Sequence, residues 1–147
     1  MDTKEKLQNL LKEAMRKNDD VVKRTVRMAL AAIKMAEIEK RITLDENAVI
    51  SIIQKEIKSR KETILDAEKA NRSDIINSTQ DEINVLTALL PPPFTESELE
   101  AIVRQAIQEA GAQNPADMGK VMKIVIPNIQ GRATNDAVSQ TVKKLLS

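Results

Sequence analysis

The side chains able to do chemistry in this sequence are carboxylates, lysines, arginines and hydroxyls, because its 147 residues include no histidine and no cysteine. That inventory removes Ser-His-Asp and Cys-His nucleophile systems, the imidazole general base and every histidine- or cysteine-ligated metal site. No metal and no cofactor is expected. The neighbouring acids, Glu37 with Glu39 and Asp81 with Glu82, read as members of charged helix faces, so no catalytic residue is assigned. The cations are more informative. "MGKVMKIVIPNIQGR", residues 118 to 132, sets Gly119, Lys120, Lys123, Gly131 and Arg132 into an apolar helical pattern and adds Pro127. A glycine in a helix costs about 1 kcal/mol relative to alanine and an interior proline roughly 3 kcal/mol, so both need a reason.

Two reasons are open. Gly119 near a helix start lets a phosphate or a neighbouring backbone approach closely, beside free amides and the positive end of the macrodipole, with Lys120 and Lys123 around the anion. Alternatively, Gly119 and Gly131 permit tight packing and a helix stop, and Pro127 bends the chain round a small core. A phosphate-loop reading of Gly119-Lys120 fails, since residue 114 is asparagine and residue 121 valine.

The overall charge is no advertisement for nucleic acid, with 23 basic residues against 22 acidic ones. Its distribution is uneven. Residues 112 to 147 carry five bases against two acids, a net of +3, whereas residues 62 to 82 carry six acids against Lys69 and Arg72. Arg24 and Arg27 belong to a second basic stretch, and "KEIKSRKE" presents Lys55, Lys58, Arg60 and Lys61 as a third. Phe94 is the only aromatic residue, so a base-stacking platform for single-stranded RNA is excluded and any RNA recognition must use shape and phosphate.

These residues must be positioned by helices. Apolar residues recur at three and four throughout, with no sustained alternation at two, which predicts an all-α chain. A capping box, Asp2 with Glu5, opens a helix carrying Leu7, Leu10, Leu11, Ala14 and Met15, and Asn18-Asp19-Asp20 breaks it. A second helix runs to about Arg41 with Val22, Val26, Ala29, Leu30 and Ile33 on one stripe. Thr43 and Glu46 are expected to cap a third, with Val49, Ile50, Ile53, Ile57 and Ile64, that fades near Ala70. Ser73 is the expected N-cap of a fourth, with Ile76, Thr79, Ile83, Leu86 and Leu90. Pro91 to Pro93 then supply no backbone donors and fix φ near −65°, marking a stiff spacer between a four-helix region, 1–90, and a three-helix unit, 94–147. In that tail a Thr95/Glu98 box, a stop at Gly111, a restart at Asn114-Pro115 and a cap at Thr134 bound the three helices. No stretch approaches the roughly 18 apolar residues of a membrane span, and the N-terminal residues do not read as a signal peptide, so a cytoplasmic protein is expected.

"RTVRMALAAIK" (24–34), "KSRKETI" (58–64), "ANRSDI" (70–75), "LLP" (89–91) and "MGKVMKIVIPNIQGRA" (118–133) together resemble the GatB/YqeY family over essentially the whole chain. The tail resembles the C-terminal domain of the B subunit of the tRNA-dependent Asp/Glu amidotransferase, and the whole chain resembles the freestanding, bacterial YqeY-like members. Two departures stand out. The family commonly has a second glycine where this chain has Lys123, and Asp-Gly where it has Thr134-Asn135. The resemblance implies a tRNA-binding helical adaptor, with an amidotransferase or an aminoacyl-tRNA synthetase as partner. It also implies a phosphate-contacting set: Gly119, Lys120, Lys123, Gly131 and Arg132 in the tail, with Arg24, Arg27, Lys58, Arg60 and Lys61 before it. Family members often carry a carbon–nitrogen ligase label with glutamine as amide donor. No ammonia-generating nucleophile and no nucleotide cradle is visible among these residues, so any such activity would belong to an associated amidotransferase. The alternative is a protein-interaction module that docks a partner subunit without touching RNA.

Overall fold

A computed structural model describes residues 1–147 as seven α-helices with no strand: α1 (Thr3–Lys17), α2 (Asp20–Lys40), α3 (Glu46–Lys69), α4 (Ser73–Thr87), α5 (Glu96–Ala110), α6 (Met118–Ile129) and α7 (Asn135–Leu146). The chain divides into two compact units, Met1–Leu90 and Pro91–Ser147.

The first unit holds α1 to α4 around Leu7, Val26, Ala29, Ile33, Val49, Ile53, Ile83 and Leu86. Met15, expected on the same stripe as Leu7, is instead 55% exposed, because at 100° per residue it falls about 80° off the line of Leu7 and the buried Ala14. Caps mark the boundaries. Asp2 accepts from the Glu5 amide at 2.8 Å, and Asp19 from the Val22 amide at 3.2 Å, which starts α2 immediately after Asn18 ends α1 with φ of 56°. For α3 the cap is Asp45, accepting from the Ala48 amide at 2.8 Å, and not the Thr43/Glu46 box. Glu46 is used elsewhere: its carboxylate accepts from the Thr3 amide at 3.1 and 3.0 Å, satisfying one of the orphan donors of α1. Ser73 is the first residue of α4 and not its cap; Arg72 holds that place without a side-chain bond and pairs with Asp74.

Two half-buried carboxylates tie this unit together. Glu37 accepts from the Leu44 amide at 3.0 Å and from Lys4 Nζ at 3.0 Å, linking α2 to both α1 and the α2–α3 turn. The Leu44 amide first, and Lys4 second, hold its carboxyl below the usual glutamate range. Glu82 of α4 receives Arg60 Nε at 3.2 Å and Arg24 at 3.7 Å. Arg60 is buried, with 7% of its surface accessible, and also donates to the Glu56 carbonyl at 3.0 Å.

The second unit closes α5, α6 and α7 over Leu99, Val103, Val121, Val125, Val138 and Val142. Thr95 accepts from the Glu98 amide, Gly111 ends α5 with φ of 64°, and Thr134 accepts from the Ala137 amide at 3.0 Å to start α7. Asn114-Pro115 begins a 3-10 turn, Pro115–Asp117, that runs straight into α6. The prolines belong to this unit: Arg132 Nε donates to the Pro92 carbonyl at 2.8 Å, and the Phe94 amide donates to the Arg132 carbonyl at 2.8 Å.

Three outcomes follow from these contacts. Arg60→Ala leaves half-buried Glu82 with only the longer Arg24 contact and should destabilise the chain by about 2 kcal/mol in urea unfolding, part of which Glu82→Gln in the same background should recover. Because the folded pKa of Glu37 is depressed, its stabilisation is present above the ordinary glutamate pKa and fades as pH falls through the lower folded value. Glu37→Gln should therefore melt lower than the wild type at neutral pH, and the gap should close as acidification carries the pH below the ordinary glutamate range. A fragment of residues 91–147 should show helical circular dichroism and a cooperative melt on its own, since its caps and core are internal to it.

Candidate nucleic-acid interface

The tail motif is built on α6, whose buried face is Val121, Val125 and Ile129. At 100° per residue the opposite face is then Gly119, Lys120, Lys123, Ile126 and Pro127, all exposed. Pro127 sits where its missing amide does least harm. The carbonyl it leaves without a helical donor is that of Lys123, on the solvent side, and the next carbonyl, Ile124, accepts from the Asn128 side chain at 3.0 Å.

Gly119 has no internal explanation. A Cβ built there would meet nothing within 4 Å, so it does not serve helix packing within this chain. Nor is α6 a bare helix end. The Met118 amide donates to the Pro115 carbonyl of the preceding 3-10 turn, so the expected cradle of free first-turn amides is partly used up. Asp117 stands beside it, 3.8 Å from Lys120 Nζ. What remains is an open stretch of backbone at Gly119 flanked by Lys120, 71% exposed in its side chain, and by Lys123.

Gly131 follows Gln130, both with positive φ, 79° and 50°, at the end of α6. Glycine is the residue that adopts this conformation without a Cβ penalty. Arg132 next to it lies over the Phe94 ring, 4.0 Å from guanidinium carbon to centroid, as well as reaching the Pro92 carbonyl and approaching Glu98 at 3.7 Å. It fastens the proline segment to the tail and stands beyond the other end of α6, about 15 Å of helix from Lys120. Lys120 and Lys123 thus share the exposed face near the start of α6, and Arg132 lies beyond its other end.

The candidates in the first unit divide similarly. Arg24 and Arg60 are brought together around Glu82, and the burial of Arg60 sets it apart from its basic neighbours on α3. Arg27 on α2 and Lys58 and Lys61 on α3 are exposed. No group of acids in the structure is arranged to hold a metal ion, and no helix is long and apolar enough to cross a membrane.

Comparison with known proteins gives this architecture a family. Residues 4–146 match the model described as Yqey-like protein. The mitochondrial protein "altered inheritance of mitochondria protein 41" of Pyrenophora tritici-repentis is 32% identical over 145 residues, which is 96% of this chain and 79% of that protein. Its namesake in Lachancea thermotolerans is 34% identical over 119 residues, covering 79% of this chain and 64% of that protein. The one in Kluyveromyces lactis is 33% identical over 111 residues, 72% and 59% respectively. These relatives are fungal and named as mitochondrial, in contrast to the bacterial, cytoplasmic setting expected from the motifs. With a match that spans nearly the whole chain and a relative similar over almost all of it, the protein belongs to the YqeY-like family.

Proposed function

We propose that the tail unit is a tRNA-binding module of an adaptor without a catalytic centre of its own, which works beside amidotransferase or aminoacyl-tRNA synthetase chemistry. The observation that carries this reading is the empty space around Gly119. A helix gives up stability at that position, nothing in the chain uses the room, and two exposed lysines, Lys120 and Lys123, follow it on the same face. A sugar-phosphate backbone fits such a place: it needs close approach to the main chain and neutralisation of charge, and it needs no aromatic platform. The likeness of the tail to the amidotransferase B subunit supports tRNA as the source of that backbone.

Contacts of this kind position an RNA without reading its bases, so binding should fall steeply with salt. Measured with an in vitro transcribed tRNA, Lys120→Glu with Lys123→Glu should lower affinity by at least about tenfold while helicity and melting temperature hold. Each single alanine substitution should reduce the salt slope by about one. Gly119→Ala should bind more weakly yet stabilise the fold by up to about 1 kcal/mol. Weak, salt-insensitive RNA binding, unchanged in these variants, would shift the reading to a module that docks a protein.

A further inference from the structure

The core stripe of α2, Val22, Val26, Ala29 and Ile33, leaves a second apolar row on the far side of the same helix. Met28, Ala31, Met35 and Ile38 recur at spacings of three, four and three, the a and d positions of a heptad, and all four are exposed. Met28 is 49% accessible, Met35 64% and Ile38 66%, and Ile42, just past the helix end, is 56% accessible. Single exposed apolar side chains are ordinary, but a continuous row over three turns of one helix is not. The two edges of the row differ in charge. Arg27 and Lys34 occupy the g positions and Arg41 comes next in that register, whereas the e positions hold Ala32 and Glu39. The half-buried acids nearby, Glu82 of α4 and Glu37 of α2 itself, do not neutralise that basic edge, because Glu82 is taken by Arg24 and Arg60 and Glu37 by Lys4.

We infer that this face of α2 docks an amphipathic helix of another protein, one that has an apolar a/d seam and acidic residues along the edge meeting Arg27 and Lys34. The charge pattern selects this occupant. Two copies of α2 packed antiparallel bring the g edges together, setting Arg27 against Lys34 of the other copy with no acid between them, and packed parallel they pair Lys34 with Glu39 but leave Arg27 facing Ala32. A nucleic acid would have to lay its phosphates on an aliphatic centre that offers no hydrogen bond and no ring. An acidic-edged helix satisfies both parts of the face at once. The two methionines, unbranched and polarizable, allow the seam to adapt to the side chains it meets. This interaction uses α2 alone and does not rest on RNA binding by the tail.

The test uses the full chain and two labelled synthetic peptides of three heptads, both with leucine at a and d, one with glutamate and the other with lysine at e and g. Fluorescence anisotropy should give saturable binding of the glutamate peptide and at least about tenfold weaker binding of the lysine peptide. Met35→Ser with Ile38→Ser should weaken the glutamate peptide by at least about tenfold without changing the melt. Met28 is left in place because its sulfur touches Arg60 at 3.6 Å. Arg27→Glu with Lys34→Glu should reverse the preference between the peptides, a result that a merely sticky surface cannot produce, and Lys120→Glu with Lys123→Glu should leave it alone. Several results would overturn the inference. These are no saturable binding of either peptide, binding that survives the serine pair, a wild-type dimer in sedimentation that the serine pair dissociates, or phosphatidylglycerol vesicles that displace the peptide from this face.

Discussion

Each unit must close its core with aliphatic side chains, since the chain has a single phenylalanine and no tyrosine or tryptophan. Leucine, isoleucine, valine and alanine bury less area per residue than aromatic rings do. A core made from them works only if many helical turns stay in register against one another. Helix ends therefore carry more weight than usual, and five of the seven helices have a side chain accepting from a first-turn amide: Asp2, Asp19, Asp45, Thr95 and Thr134. Loss of such a cap typically costs about 1 kcal/mol, a large share of what a small unit can spare.

Long-range polar ties supply what small cores lack in specificity. Glu46 reaches across 43 residues to the first amide of α1, Glu37 holds the turn that leads into α3, and Arg132 reaches across 40 residues to the proline segment. Such bonds fix how neighbouring elements meet, where packing of interchangeable aliphatic residues would tolerate several arrangements. The same consideration explains two cations of the family motifs. Arg60 and Arg132 are long, planar and multiply donating, and each is placed to bind several partners at once through a fixed planar fork that a lysine lacks.

Local signals in the sequence were enough for the helices, their order and most of their ends, because caps, glycine stops and three-four spacing act within a few residues. What escaped depends on distance. Glu46 reads as the far half of a capping box until the fold brings Thr3 to it, and Arg132 reads as a free cation until Phe94 and Pro92 arrive beneath it. Arg60 is a different kind of miss. It follows Ile57 by three and precedes Ile64 by four, on the stripe begun by Ile53, so helical spacing alone places it facing inward. The basic residues on either side mask that register. The outward row on α2 is equally legible, at Met28, Ala31, Met35 and Ile38, as a second three-four repeat on a helix that already carries a core stripe.

Most of the chain is locally consistent, with propensity, spacing, capping and burial pointing the same way, and departures from that consistency are where function is to be sought. Two faces depart, and they do so in opposite senses. On α6 a position that would hold alanine at a gain in stability is left bare beside two lysines, a surface smaller and more polar than the helix requires. On α2 positions that solvent would favour as polar carry methionine and isoleucine beside a basic edge, a surface larger and more apolar than the helix requires. A partner recognised through phosphates at the first is held by charge and released by salt, whereas a helix seated on the second is held mainly by apolar burial and persists. Because the two faces lie on separate compact units with separate cores, a substitution on one need not propagate to the other. That independence leaves two surfaces of unlike chemistry, each carried by its own core.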